Sequence, residues 1–239
     1  MTEFGRGAPI VVIPGLPGPW RFVAPAVHAL ARYYRVLTLS LGPECSIDSD
    51  VDRILAALDE RKIDRAVICG ISLGGLIALR FAARHPDRTS ALLLVSTPGP
   101  GMTLAPRYRV YMRWPRLLGA LFLIETPYQL RHELRWSQLR PLLGRPVSFA
   151  RMARRASFLD SHEAEADCRR ITAPTLIVTG ENALDHVVPV DSTREYLELI
   201  PGSGHIRLAN TGHLGTITRP ELFRAVVQGY VDTILSGAA

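Results

Sequence analysis

Residues 66–83 carry the stretch that decides the fold, AVICGISLGGLIALRFAA. It joins an apolar run typical of a buried strand to an apolar pattern at helical spacing, and G-x-S-x-G lies at the junction, over residues 70–74. This pattern can arise by chance, mark a tight turn, or place Ser72 on a sharp bend between strand and helix. Glycines two residues before and after the serine favour the sharp bend, because a strained turn leaves no room for side chains there.

The same alternation of strand and helix continues on both sides of this stretch. The other apolar runs lie at residues 10–13, 34–41, 91–96, 175–179 and 204–208. Helical patterns lie between and after them, at residues 22–31, 51–59, 74–85, 192–199 and 221–235. Continuous apolar runs are typical of strands covered on both faces. The sequence therefore predicts an α/β fold with a mostly parallel, doubly wound sheet.

The rhythm breaks between residues 99 and 169, where prolines separate helical pieces. We interpret this part as an insertion between two strands of one sheet, so that the core comprises residues 1–98 and 170–239. Residues 101–155 hold eleven arginines and two glutamates. Such an excess could bind nucleic acid or a membrane surface. We favour a solvated helical surface, and predict neither a nucleic-acid partner nor stable membrane insertion.

Length and composition point to one domain without structural metal or disulfides. A chain of 239 residues with 47% hydrophobic residues can bury a large core. It has no apolar stretch near the ~18 residues of a membrane span and no signal-peptide pattern, so we expect a cytoplasmic protein. Cys45, Cys69 and Cys168 are an odd number without metal-type spacing, and we expect no metal and no organic cofactor.

Ser72 follows a predicted strand, at the edge of the sheet where doubly wound folds bind ligands. A serine hydroxyl is a weak nucleophile at neutral pH and needs a base, itself oriented by a carboxylate. Of the seven histidines, His213 alone follows the carboxyl end of a strand and precedes the closing helix, so it is the predicted base. The alternative for Ser72 is a helix N-cap, which needs neither flanking glycines nor these partners.

Three acidic residues could supply the carboxylate, since Glu181, Asp185 and Asp191 all follow the strand that ends at Gly180. Asp191 precedes an S-x-x-E pattern at residues 192–195, which is typical of a capping box and favours a role beside a helix start. Asp185 is therefore the preferred candidate, and the other two stay open.

Two backbone N–H groups are candidates for binding the oxyanion that forms when a serine attacks a carbonyl. That of Leu73 lies at the start of a predicted helix, and that of Leu16 lies in the glycine-rich loop after the first apolar run. One such donor stabilises a transition state by about 3 to 4 kcal/mol.

These segments together resemble the α/β-hydrolase superfamily over nearly the whole chain. The similar segments are GISLGG (70–75) for the nucleophile elbow, LIVTGENALDHVVPV (176–190) for the acid, GHLGTITRPELF (212–223) for the histidine and VVIPGLPG (11–18) for the oxyanion loop. The resemblance implies an α/β-hydrolase fold in which residues 99–169 form a helical cap. Because the chain starts almost at the first parallel strand, and the family usually has two strands before it, we expect about six strands.

The resemblance also implies a function. With Ser72 at the elbow, the chain resembles the serine hydrolases of this superfamily, which include its esterases. Dehalogenases and epoxide hydrolases of the same superfamily carry aspartate at that position. We expect a serine hydrolase that cleaves a small to medium carboxylic ester through a Ser72–His213–Asp185 triad and an acyl-enzyme intermediate. One alternative is a C–C or enol-lactone hydrolase whose carboxylated substrate meets Arg107, Arg109 or Arg113. Another is a non-catalytic binding protein on the same fold.

The substrate pocket and the assembly are less constrained by sequence. Trp114, Phe122 and Trp136 are candidates for contacting a small-molecule ester substrate, although apolar residues at helical spacing are more often core. A homodimer is one possibility for the oligomeric state.

Overall fold

The computed structural model describes residues 1–102, 148–160, 163–185 and 187–237. Its strands are β1 (Thr2–Phe4), β2 (Pro9–Ile13), β3 (Arg35–Thr38), β4 (Ala66–Ile71), β5 (Thr89–Val95), β6 (Thr175–Thr179) and β7 (Gly204–Arg207). The helices of the described residues are α1 (Ala24–Leu30), α2 (Ile47–Glu60), α3 (Leu73–Arg84), α4 (Phe149–Ala156), α5 (Ala164–Cys168), α6 (Val190–Arg194), α7 (Tyr196–Leu199), α8 (Gly215–Thr218) and α9 (Pro220–Leu235). Short 3-10 turns cover Trp20–Val23, Pro86–Arg88 and Ser157–Asp160.

The strands form one sheet in the order β1-β3-β2-β4-β5-β6-β7. Only β1 is antiparallel to its neighbour, and all other pairs are parallel. The chain moves outward from β2 to β3 and then returns to place β4 on the other side of β2. Ligands of open α/β sheets bind at such a reversal, beyond the carboxyl ends of the strands. The loops that leave β2 and β4 meet there.

Both faces of the sheet are buried, as the continuous apolar runs predict. In β2, for example, Val11 and Ile13 join one cluster and Ile10 and Val12 the other. Helices α2 and α3 cover the first cluster, while α1 and α9 cover the second. This sheet, covered by helices on both faces, confirms the predicted doubly wound α/β fold.

Within the described residues the sheet has seven strands, one more than the expected number of about six. The strand that sequence reasoning missed is β1, whose Thr2 lies opposite Thr38 and whose Phe4 lies opposite Val36. It is three residues long and mostly exposed, and the Glu3 carboxylate accepts a 2.8 Å hydrogen bond from Arg35. An edge strand that buries so little surface leaves no apolar run in the sequence.

The helix expected over residues 192–199 is two short helices, α6 and α7, and the first begins at Val190. Ser192 therefore lies inside a helix and does not cap it. Its hydroxyl accepts the N–H of Gly99 at 3.0 Å, and the Glu195 carboxylate accepts that of Gly101 at 3.1 Å. The capping-box interpretation is wrong because both side chains bind the loop after β5.

An ion-pair cluster fixes α5 against α3. Arg80 of α3 donates from Nε to Asp167 Oδ2 at 2.5 Å, and its terminal nitrogens reach Glu163 and, at 3.2 Å, Asp48. The Asp167 side chain is 8% exposed, whereas that of Glu163 is 71% exposed. Asp167 therefore depends on Arg80 much more than Glu163 does.

A turn lies at the edge of the sheet where the parallel strands begin, opposite their carboxyl ends. After α2 the chain reverses through Lys62, an exposed residue with φ of 52°, and then enters β4.

None of the helices in the described part of the chain could span a membrane. The division into a core and a cap over residues 99–169 stays a prediction, because residues 103–147 and 161–162 lie outside the described residues.

Candidate active site

Ser72 occupies a sharp bend between β4, which ends at Ile71, and α3, which begins at Leu73. Its φ of 55° and ψ of −126° are unusual for a residue with a side chain. Although Ser72 precedes the helix, its hydroxyl makes no capping hydrogen bond. The N-cap alternative therefore does not explain this serine, whose side chain stays available for another partner.

Close packing explains the glycines around the bend. A Cβ on Gly70 would lie 2.3 Å from the carbonyl oxygen of Gly74, and one on Gly74 would lie 2.4 Å from that of Ile13. One on Gly75 would lie 1.9 Å from Thr97 Oγ1, just beyond β5. Backbone atoms fill the space that a side chain would need at Gly70 and Gly74, and the Thr97 side chain fills it at Gly75, so α3 packs directly on the sheet.

His213 reaches Ser72 from the segment after β7. The distance from His213 Nε2 to Ser72 Oγ is 3.0 Å, and the histidine is 9% exposed. Gly180 helps to hold this segment against the end of β6, because a Cβ there would lie 2.6 Å from the carbonyl oxygens of Thr211 and Gly212. The structure thus brings together two residues that are 141 positions apart.

Asp185 lies on the far side of the histidine, with Oδ2 at 3.3 Å from His213 Nδ1. Its other oxygen accepts the N–H groups of Val187 at 3.1 Å and Val188 at 3.0 Å. Burial alone would raise the pKa of this carboxyl, but the charge interaction and hydrogen bond with His213, and the two N–H groups, lower the pKa below its usual value. Asp185 is therefore a carboxylate at neutral pH.

The two alternative acids lie elsewhere. Asp191 is exposed, with an oxygen 3.9 Å from Arg194 on the same helix. Glu181 accepts the N–H of Asn210 at 2.8 Å and so braces the loop before His213. Of the three candidates, only Asp185 touches the histidine.

The loop after β2 passes close to Ser72. A Cβ on Gly15 would lie 3.1 Å from Ser72 Cβ and 3.6 Å from Ser72 Oγ, so the Gly15–Leu16 peptide lies beside the hydroxyl. Leu73 follows Ser72 directly as the first residue of α3, where the N–H groups of a helix lack intrahelical partners. Leu73 thus adjoins the serine in the chain, and Leu16 adjoins the glycine that packs against it; their roles as oxyanion donors stay predictions.

One arginine of the insertion contradicts the expected solvated surface. Arg155 of α4 is 4% exposed, and its guanidinium donates to backbone carbonyls, two of them in the loop after β2. Arg151 and Arg154 of the same helix are exposed, as expected. Sequence reasoning missed Arg155, because its partners are backbone atoms more than 100 residues away, and these carry no residue-type signal.

The predicted substrate contacts Trp114, Phe122 and Trp136 lie outside the described residues, as do Arg107, Arg109 and Arg113. Among the residues that are described, no group of three His, Cys, Asp or Glu side chains could hold a metal ion. Cys45, Cys69 and Cys168 are buried free thiols.

Comparisons with known proteins identify a matching protein family and several relatives. The model of the "Alpha/beta hydrolase family" matches residues 10–226. Polyketide synthase ThaQ of Burkholderia thailandensis is 29% identical over 98% of this chain, which spans only 12% of that much longer protein. The pimeloyl-[acyl-carrier protein] methyl ester esterase of Nitrosomonas europaea is 25% identical over 92% of this chain and 94% of its own.

A solved structure shows the same fold. The enol-lactonase from Burkholderia xenovorans LB400 superposes with a TM-score of 0.78 over 97% of this chain and 95% of its own, at 24% sequence identity. The family match covers most of the chain and agrees with the sheet order and the bend at Ser72. The chain therefore belongs to the alpha/beta hydrolase family.

Proposed function

We propose that the chain is a serine hydrolase that cleaves a small to medium carboxylic ester through an acyl-enzyme intermediate. One observation carries this proposal: Ser72, His213 and Asp185 form a continuous chain of contacts of 3.0 and 3.3 Å at the carboxyl edge of the sheet. Family membership supports hydrolysis as the reaction class. The relative from Nitrosomonas europaea is named as an ester esterase, which supports an ester as the substrate.

In the proposed first step, Ser72 Oγ bonds to the carbonyl carbon while His213 Nε2 takes the hydroxyl proton. Asp185 accepts a hydrogen bond from His213 Nδ1–H, which fixes the orientation of the ring and stabilises its positive charge. The low pKa of Asp185 suits this role, because the carboxylate must stay ionised when the imidazolium forms.

The carbonyl oxygen becomes an oxyanion, which the N–H groups of Leu16 and Leu73 would bind. Collapse of the tetrahedral intermediate breaks the ester bond, and the leaving alcohol takes the proton from His213. Water then attacks the acyl-enzyme with His213 again accepting a proton, and the carboxylic acid leaves as Ser72 regains its hydrogen. The proposed reaction uses no metal and no organic cofactor.

A chain-length series of p-nitrophenyl esters tests this proposal. We expect turnover that depends on acyl length, and a loss of roughly 10⁶-fold in kcat in Ser72→Ala. A fluorophosphonate probe should label the wild type and leave Ser72→Ala unlabelled. Folded wild-type protein that neither turns over an ester nor reacts with the probe would contradict the proposal and favour a non-catalytic binding protein.

A lactone is a second candidate substrate, because a cyclic ester opens by the same steps and the solved structure from Burkholderia xenovorans is of an enol-lactonase. A carboxylated enol-lactone, or a carboxylated substrate whose C–C bond is cleaved, would bind Arg107, Arg109 or Arg113 through its carboxylate. These three arginines lie outside the described residues. Matched lactones with and without a carboxylate distinguish this candidate, since only a carboxylate-binding site would prefer the charged member. A cytoplasmic location and a homodimer stay predictions.

A further inference from the structure

Four backbone carbonyls from two separate loops converge on the Arg155 guanidinium. Nη1 lies 3.4 Å from the oxygen of Leu16 and 3.2 Å from that of Pro17. Nη2 lies 3.2 Å from the oxygen of Leu41 and 3.1 Å from that of Gly42. One side chain of α4 thus ties the loop after β2 to the loop after β3.

The first of these loops lies between Arg155 and Ser72. Residues 15–18, called here the oxyanion loop, form a turn closed by a 3.0 Å hydrogen bond from Gly18 N–H to the Gly15 carbonyl. Gly15 at its start packs against Ser72. At its end Gly18 has φ of +95°, and a Cβ there would lie 2.2 Å from Arg155 Nη1. The turn therefore touches the serine on one side and the guanidinium on the other.

The second loop supplies a firm support for the first. Its Gly42 donates its N–H to Asp50 Oδ1 at 2.9 Å, and Asp50 is itself 3% exposed and bonded to Arg53. Burial lowers the pKa of Arg155, whereas the nearby Cys45 and Asp50 oppose that effect. The Leu41–Gly42 peptide, whose carbonyl accepts from Arg155 and whose N–H donates to Asp50, thus connects the buried cation to the buried carboxylate.

The shape of the guanidinium suits this arrangement. Arginine presents five N–H donors in a planar, rigid fork, whereas the lysine ammonium is a compact point charge. A fork can serve two pairs of carbonyls at the same time, as the distances here show. A lysine in the same place keeps the charge but cannot reproduce both pairs.

We propose that Arg155 is a positioning residue for the oxyanion loop, which it holds from behind so that the Leu16 N–H stays directed at the carbonyl oxygen of a substrate on Ser72. This inference rests on the proposed function, because it takes Leu16 as an oxyanion donor. Through Arg155, the insertion contributes to the alignment of the site without touching the substrate.

Arg155→Lys and Arg155→Met test the proposal, with Arg154→Lys as the matched control on the same helix, where the side chain is exposed. With a short p-nitrophenyl ester we expect Arg155→Lys to lower kcat by about 10- to 100-fold, as a displacement near 1 Å would, and to leave KM within about threefold. A boronic acid inhibitor, which resembles the tetrahedral intermediate, should bind more weakly by a similar factor. Arg154→Lys should match the wild type.

Hydrogen exchange provides a readout that is independent of turnover. In Arg155→Lys, the amide of Gly18, whose N–H closes the turn of the oxyanion loop, should exchange faster while the amides of β4 and β5 stay protected. Unchanged kcat in folded Arg155→Lys, or a rise in KM at constant kcat, would overturn the proposal. If Arg155→Met does not fold, Arg155→Lys decides alone. If the wild type fails to react with the fluorophosphonate probe, the proposed function is wrong. Unchanged hydrogen exchange in Arg155→Lys would separately refute the proposal that Arg155 positions the oxyanion loop.

Discussion

At Ser72 the main chain takes a conformation that suits glycine better than serine, with φ of 55° and ψ of −126°. Residues held in such regions cost about 1 to 3 kcal/mol and persist only where their surroundings fix them. Here β4, α3 and the glycines at positions 70 and 74 do so. This conformation places the Ser72 hydroxyl 3.0 Å from His213 Nε2.

This strain predicts an order of stability for two variants that both remove the hydroxyl. Ser72→Gly should be more stable than Ser72→Ala by roughly 1 kcal/mol, because relief of strain outweighs the entropy that glycine loses on folding. Urea unfolding of the two variants measures the difference. Equal stability, or a more stable alanine variant, would show that the bend carries little strain.

The choice among the three acidic residues gives a second prediction at this scale. Asp185→Asn should lower kcat by about 10⁴-fold, since asparagine cannot stabilise the imidazolium and favours the wrong tautomer of His213. Its amide oxygen can still accept from Val187 and Val188, so the fold should persist. Asp191→Asn is the control and should keep its activity within about twofold. A large loss in Asp191→Asn with an active Asp185→Asn would reverse the assignment.

Among the elements, those that bury the most apolar surface were the most predictable. Strands β2, β4, β5 and β6 are continuous apolar runs, because a strand covered on both faces has no polar side. β1 lies at an edge and gives no such signal. The S-x-x-E pattern at residues 192–195 does not cap a helix, because Ser192 and Glu195 bind a loop almost 100 residues earlier. Local patterns fail where a distant segment takes the side chains that the pattern requires.

The ion-pair cluster on α3 predicts a pH-dependent cost for one substitution. Arg80→Met should destabilise the protein by about 3 kcal/mol at pH 7, because it leaves Asp167 buried without its partner. Glu163→Gln is the matched control and should cost less than about 1 kcal/mol, since that carboxylate is largely exposed.

The sign of the pH dependence follows from Asp167. Burial raises the pKa of this carboxyl, while the hydrogen bond and charge of Arg80 oppose the rise. Without Arg80 the pKa of Asp167 in the folded state rises further above its unfolded value of about 3.9. Ionisation of Asp167 therefore removes more stability as the pH increases from the unfolded pKa through the folded pKa. Urea unfolding should therefore show a smaller difference between wild type and Arg80→Met at pH 4 than at pH 7. A difference that grows toward pH 4 would contradict this account.

For the whole molecule, the reversal of strand order between β2 and β4 determines where the site lies. The order of the elements and the edge that carries Ser72, Asp185 and His213 could be predicted, because parallel strands place their carboxyl ends together. The contacts of Arg155 with the two loops could not be predicted, since nothing in its residue type distinguishes Arg155 from the exposed Arg151 and Arg154. Its role depends on carbonyl positions that exist only once both loops are folded.

The turn that follows α2 has a practical consequence. Lys62 is the only lysine among the 239 residues, it is exposed, and it lies at the edge of the sheet opposite Ser72. The length of β4 separates the two by roughly 20 Å. Apart from the amine at the start of the chain, an amine-reactive resin or fluorophore thus has a single side chain to modify. Immobilisation through Lys62 would present the edge that carries Ser72 to solution in one orientation, as an immobilised biocatalyst or a biosensor surface requires.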